Sequence, residues 1–219
     1  MIQIEKQITA DGSSTLYRKD IDEHYHSTFG ALTEAKHIYI HMGLQAHPAQ
    51  NVHVLEIGFG TGLNAFLSLR AAAQLGKTVH YTTLERYPLS LELIQDLNFG
   101  FTPAEKEQWL RLHQAPWEND VKFGTFTLHK AECDFTLIQL QQKYDVIYFD
   151  AFAPEKQAEM WAPDLFEELY KVLNPGGILV TYCAKGYIRR GLQAIGFTVE
   201  RLPGPEGGKR EILRAHKDA

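Results

Sequence analysis

The chain has 219 residues, 44% of them hydrophobic and 22% charged, with a formal net charge of −5. That length suits one domain with a full core, and the composition is that of a globular protein rather than a disordered or fibrous one. No apolar run reaches the roughly 18 residues of a membrane helix, the start lacks a basic-then-apolar signal layout, and Cys133 and Cys183 stand in no metal or redox spacing, so a cytoplasmic protein with no membrane association and no metal is expected.

Residues 1–50 are mixed and read as an N-terminal extension to the substrate and cofactor region. Asp11-Gly12-Ser13-Ser14 signals a turn and residues 32–44 a helix. Residues 51–219 then alternate strand and helix. Strands are expected at 52–57, 79–84, 123–128, 144–149 and 178–182, and helices at 64–75, 88–97, 135–142, 163–173 and 188–194. Residues 197–202 and 211–213 close the chain as two strands with no helix between them, which allows an antiparallel edge. The expectation is a Rossmann-like α/β fold: a mainly parallel seven-stranded sheet with helices on both faces, in one domain.

In such sheets ligands sit beyond the carboxyl ends of the strands. After the first core strand comes Glu56-Ile57-Gly58-Phe59-Gly60-Thr61-Gly62. The spacing is G-x-G-x-G, with no Gly-Lys-Ser/Thr following, which disfavours a phosphate-gripping loop. Glu56 adds an anion where a cationic ligand group could sit. Glu85 follows the next strand and suits ribose hydroxyls. Ala131-Glu132 follows the third as a candidate for the adenine edge, and Asp150 follows the fourth. Each signal is modest alone, since a Gly turn or a loop Glu is common. Together they point to a nucleoside cofactor, with S-adenosylmethionine ahead of NAD because it carries an ammonium and a sulfonium.

Residues 182–219 hold eight Lys/Arg against four Asp/Glu, a basic end on an acidic body. Such an end can bind a polyanion locally or be only a solvated face. His24 and His26 flank Tyr25 without a third metal ligand and read as surface or loop residues. Trp109, Trp117 and Trp161 read as packing.

Val54-Leu55-Glu56-Ile57-Gly58-Phe59-Gly60-Thr61-Gly62-Leu63-Asn64 resembles the cofactor motif of the tRNA 5-(aminomethyl)-2-thiouridine methyltransferases, the family of the methyltransferase part of MnmC and of stand-alone MnmD. Further blocks are similar to that family: Tyr25-His26-Ser27 with Leu32-Thr33-Glu34, Asp150-Ala151-Phe152-Ala153-Pro154 with Met160-Trp161, Gly186 to Gln193, and Gly208 to Leu213. Ala31, Lys36 and Cys183-Ala184-Lys185 depart from its pattern. The resemblance implies methyl transfer to the primary amine of 5-aminomethyl-(2-thio)uridine at the tRNA wobble position. It implies no flavin-dependent oxidase domain after Ala219 and dependence on a separate pathway that supplies the aminomethyl-uridine.

On that reading Gly58, Phe59, Gly60, Thr61, Gly62, Asn64, Glu56, Glu85, Glu132 and Asp150 hold the cofactor. Asp150 also accepts a hydrogen bond from the neutral amine and stabilises the cationic nitrogen that develops. A strand-end Asp that only caps a helix or binds cofactor is the plainer role. Phe152 and Pro154 wall the base pocket, Lys185, Arg189, Arg190, Lys209 and Arg210 meet tRNA phosphates, and Tyr25 and Glu34 are further candidates. The rivals are an aminopropyltransferase of the spermidine synthase type, a small-molecule amine N-methyltransferase, and a non-catalytic tRNA-binding protein.

Overall fold

The computed structural model describes residues 3–218. A three-stranded antiparallel ribbon comes first: β1 (Ile4–Ile8), β2 (Ser14–Arg18) and β3 (Glu23–His24). None of these strands is expected from the mixed composition of the N-terminal segment. The turn at Asp11 is as expected: its carboxylate accepts from the Ser13 backbone and from the Thr9 and Ser13 hydroxyls.

A short helix, α1 (Ala31–Ala35), runs directly into a wider π-type segment, Lys36–Leu44. There the Gln45 N–H reaches back five residues to the Ile40 carbonyl, at 2.8 Å. Such wide turns are rare and frequently mark functional sites. This segment packs on the strands Tyr144–Phe149 and Leu173–Thr181 and buries Ile38, Tyr39, Ile40, Gly43 and Leu44.

The core follows as β4 (Asn51–Ile57), α2 (Leu63–Leu75), β5 (Thr78–Glu85), α3 (Leu91–Gln95), α4 (Pro103–Gln114), β6 (Asp120–Phe123), β7 (Phe126–Glu132) and β8 (Tyr144–Phe149). It ends with α5 (Pro163–Val172), β9 (Leu173–Thr181), α6 (Gly186–Ile195), β10 (Thr198–Pro203) and β11 (Glu211–His216). The large sheet runs β10-β11-β9-β8-β4-β5-β7-β6, parallel from β9 to β7 and antiparallel at both edges. One face is covered by the π-type segment, α2 and α4, the other by α5 and α6. The α/β class, the parallel centre and the antiparallel closing pair are as expected.

Within the core, three further elements differ from expectation. The sheet has eight strands, not seven, because β6 folds back on β7 through a tight turn with Gly124 at φ 66. Helix α4 is unanticipated, although Thr102-Pro103-Ala104-Glu105 carries its start signal. The Thr102 hydroxyl accepts from the Glu105 N–H (3.3 Å) and Glu105 accepts from the Thr102 N–H (2.7 Å), a reciprocal cap. Residues 135–142 form only a single 3-10 turn, Phe135–Leu137. Leu137 is 81% exposed, so a full helix here would have no apolar partner to bury its face against.

Gly43 sets how closely the π-type segment approaches the sheet. A Cβ there would lie 3.0 Å from Tyr148 Cε1 and 3.3 Å from Val180 Cγ2. Gly43→Val should therefore destabilise the fold by about 1–3 kcal/mol through overpacking. Urea unfolding followed by circular dichroism measures it; an unchanged midpoint would show that the segment can lift off the sheet freely.

Candidate active site

The strand order reverses between β4 and β8, with β5 and β7 on one side and β9 on the other. A cavity of about 460 Å³ opens at the carboxyl ends of these strands, the place where open α/β sheets bind ligands, and its size is that of a cofactor pocket. The ends of β4, β5 and β7 supply one side, and the ends of β8 and β9 with the N-terminal segment supply the other.

The loop after β4 needs its glycines. Gly58, Gly60 and Gly62 have φ of 96, 49 and 66. A Cβ on Gly60 would lie 3.2 Å from the Tyr25 ring, and one on Gly62 would lie 2.7 Å from His113 Nε2. Neighbours fix the loop from behind. Glu85 accepts from the Gly60 N–H (2.9 Å) and from the Tyr87 N–H (2.8 Å). The Thr61 carbonyl accepts from Trp109 Nε1 (2.9 Å), and the Thr61 hydroxyl lies 2.7 Å from His26 Nε2. His26 lies in the loop after β3, as expected, but is half-buried against the glycine loop, and burial pushes it down to about 4 and keeps it neutral. Phe59 packs against His113 and Trp117, and Lys130 lies over both the Phe59 and Trp117 rings.

Asp150 sits at the strand reversal, its N–H bonded to the Ile57 carbonyl at 3.2 Å. The Tyr39 hydroxyl donates to its Oδ1 (2.5 Å) and the Asn64 amide to its Oδ2 (2.8 Å). Burial outweighs these donors and raises the carboxyl to about 7. Tyr39 was not anticipated, and among apolar helix neighbours nothing in the sequence singles it out.

Beyond Asp150 lies a cluster of aromatic and charged groups. Tyr25 meets Phe152 edge-on at 5.1 Å, and the Arg18 guanidinium, paired with Asp20, stands 5.8 Å from the Phe152 ring centre. Lys209 pairs with Glu34 at 2.5 Å. The cavity wall therefore gathers Gly58, Phe59, Gly60, Thr61, Asn64, Glu85 and Asp150 with Tyr25, Glu34, Phe152 and Lys209.

Other expected site residues lie elsewhere. Glu56 does not face the ligand space: it is fully buried behind the loop, accepts from the Thr83 hydroxyl (2.7 Å), and burial raises it to about 8. Burial thus favours its neutral form over the anion expected for a cationic ligand. Glu132 is exposed and off the wall; the chain carries two residues further, and Asp134 lines the cavity instead. Asp134 pairs with Arg86 at 2.8 Å and caps the Phe135 turn. An acid after β7 was legible; which of two acids faces inward depends on the loop's path. Gly62 starts α2 just off the wall, and Pro154 is buried away from it. Lys185, Arg190 and Arg210 are exposed, Arg189 is half-buried, and none of the four lines the cavity. Among the described residues no cluster of three or more His, Cys, Asp or Glu could hold a metal, and no helix is long and apolar enough to cross a membrane.

A family model described as S-adenosyl-L-methionine-dependent methyltransferase matches residues 101–218. The chain is 35% identical over 215 residues to the tRNA 5-methylaminomethyl-2-thiouridine biosynthesis bifunctional protein MnmC of Cupriavidus necator, covering 91% of this chain and 32% of that protein. It is 30% identical to the protein of the same name from Pseudomonas entomophila, covering 94% of this chain and 34% of that one. The chain thus spans about a third of the length of these relatives. Among solved structures, MNMC2 from Aquifex aeolicus superposes with a TM-score of 0.82 at 24% identity, covering 100% of this chain and 72% of that one. Spermidine synthase from Thermotoga maritima gives 0.61 at 14% identity, covering 98% and 73%. Both likenesses show the fold alone.

The buried acids make stability depend on pH. A carboxyl raised on folding holds a proton that the unfolded chain has lost, so its contribution disappears as pH rises through the folded value. His26 and His113, both lowered to about 4, act oppositely below their ordinary 6.5. Between 6.5 and 8 the acids dominate, Asp150 at about 7 and Glu56 at about 8, with Lys130, lowered to about 8, opposing them only toward the top of that window. Stability should fall across that window, and Glu56→Gln should flatten the fall. Urea midpoints at four pH values test this, and a slope unaltered by the substitution would place the titrating group elsewhere.

Proposed function

The chain belongs to the S-adenosyl-L-methionine-dependent methyltransferase family, and from that premise we propose that it methylates the primary amine of 5-aminomethyl-(2-thio)uridine at the tRNA wobble position. The observation that carries this reading is Asp150: a carboxylate set at the strand reversal, clamped by Tyr39 and Asn64, with the Tyr25–Phe152 aromatic pair beyond it. The likeness to MnmC supports the choice of acceptor.

The residues present fit the cofactor. The loop at Gly58, Phe59, Gly60 and Thr61 lines the cavity, and Asn64 Oδ1, without a hydrogen-bond partner, lies buried beside it. The loop, Glu85 and the turn at Asp134 would hold S-adenosyl-L-methionine, with Glu85 suited to ribose hydroxyls. When bound it supplies a methyl carbon already activated by a positive sulfur, so the chain's task is alignment.

Asp150 performs that alignment. Tyr39 and Asn64 each use one lone pair of its two oxygens, leaving acceptor sites for the amine N–H. A carboxyl at its ordinary value faces an alkylammonium near ~10 across about 6 units; one at about 7 narrows that to roughly 3 units, ~4 kcal/mol. Asp150 is therefore an orienting acceptor that stabilises the cationic nitrogen, and the proton leaves to solvent. Tyr25 and Phe152 would pack against a base turned out of its stack.

The phosphate face is narrower than composition implies. Arg214 and His216 pair with Glu200, Arg201 with Glu211, Lys185 with Glu155 and Lys209 with Glu34. Lys217 donates to the Tyr170 and Leu173 carbonyls at the end of α5. The exposed Arg190 and Arg210 are the best placed to meet RNA phosphates.

The decisive assay is transfer of labelled methyl to tRNA from cells lacking the wobble-methylation step, read by nucleoside mass spectrometry. A methylaminomethyl-uridine product is expected. Asp150→Asn should cut its formation by roughly two to three orders of magnitude while leaving cofactor affinity near wild type. Methyl transfer only to a small amine would move the acceptor to the rival reading. Charge reversal at both Arg190 and Arg210 should weaken tRNA binding and reduce the salt slope by about 1 per lost contact. A slope equal to wild type would remove these two residues from the interface.

A further inference from the structure

One ion pair in the cavity has chemistry that the phosphate-contact role of Lys209 does not explain. Lys209 Nζ points inward, pairs with Glu34 Oε2 at 2.5 Å, and stands 4.8 Å from the Tyr182 ring centre. Glu34 is 13% exposed and Lys209 34%. The Lys209 charge favours the ionised form of Asp150, and the Glu34 charge opposes it, so all three groups share one electrostatic neighbourhood. A lysine side chain ends in a methylene bearing a primary ammonium, the same group that an aminomethyl acceptor presents.

We propose that Glu34, the Tyr182 face and Asp150 form a subsite for the acceptor's ammonium, and that Lys209 fills it as an internal stand-in until the acceptor displaces it. This rests on the amine-acceptor reading given above and deepens it. An alkylammonium near ~10 arrives protonated at neutral pH, so the cavity must first receive a cation. A carboxylate and an aromatic face are the two groups that do so. The mount of Lys209 permits exchange. It lies on the turn between β10 and β11, pinned at its base by Pro203 pairing with Glu211 and by the Gly204 N–H to the Arg210 carbonyl at 3.0 Å. The Lys209 backbone packs against Gly204 beside that base, so exchange needs only rotation of the long lysine side chain out of the cavity. A partly exposed ion pair is weak enough to be replaced by a better-placed cation.

The test uses the full chain and n-butylammonium chloride as probe, with binding followed by NMR shifts of backbone amides. Lys209→Met should bind the probe roughly fivefold more tightly than wild type, the equivalent of about 1 kcal/mol for the vacated pair. The double variant Lys209→Met with Glu34→Gln should lose that gain. In the tRNA assay Lys209→Met should lower KM for aminomethyl-uridine tRNA while leaving binding of tRNA without the amine unchanged. Equal probe affinity in Lys209→Met and wild type, or a gain that survives in the double variant, would overturn the subsite. A raised KM with unaltered probe affinity would overturn it too and return Lys209 to the phosphates. Should wild type methylate no tRNA, the acceptor assignment fails on its own, and the probe titration still decides the subsite.

Discussion

A carboxylate held out of bulk water at the point where the sheet reverses is the constraint on which the other features converge. Leaving such a group unpaired would cost several kcal/mol. Two donors, one phenol and one amide, offset only part of that, which is why Asp150 settles near 7. Each donor has its own structural requirement. Asn64 reaches Asp150 from the first turn of α2, whose start depends on left-handed Gly62. Tyr39 reaches it from the π-type segment, whose close seat on β8 and β9 depends on Gly43 lacking a side chain. Beneath them burial and the nearby Asp150 both disfavour a charge on Glu56, which lessens repulsion between the two acids.

What could be read from the sequence follows the reach of local physics. The parallel centre was legible because buried strands such as β4 and β8 are nearly continuous apolar runs bounded by glycine or acid. The glycine loop, Glu85 and Asp150 were legible because position after a strand predicts position in the crevice. Helix α4 carried a readable cap that its polar surface obscured. The Phe135 turn misled in the opposite sense, since apolar residues there resembled a helix that has nothing to pack on. Tyr39 was not legible: its role depends on a contact across 111 residues. Nor could the burial of Glu56 and the exposure of Glu132 be read: both lie within their strands, β4 and β7, and which face is covered there depends on packing by distant segments.

The charge pattern shows a similar limit. A basic C-terminal region on an acidic body suggests a broad polyanion surface, yet most of those cations pair with neighbouring carboxylates or cap carbonyls. The net-negative chain then repels a polyanion over most of its surface and leaves a few arginines to attract it. On the proposed tRNA substrate, recognition would rely on shape and the pocket more than on long-range attraction, with a correspondingly shallow salt dependence.

The two halves of the cavity come from different parts of the chain. Residues 57–64, 84–87 and 133–136 make the side that suits the cofactor, a compact and continuous stretch of the core. Arg18, Tyr25, Glu34 and Lys209 come from the ribbon before that core and the hairpin turn after it. These peripheral pieces can be altered without rebuilding the strands that carry the cofactor side. A lineage could exchange one acceptor for another by rewriting a strand pair and a turn, while the methyl-donor cradle stayed as it is. Asp150, which belongs to neither periphery, would be the fixed hinge between the two histories.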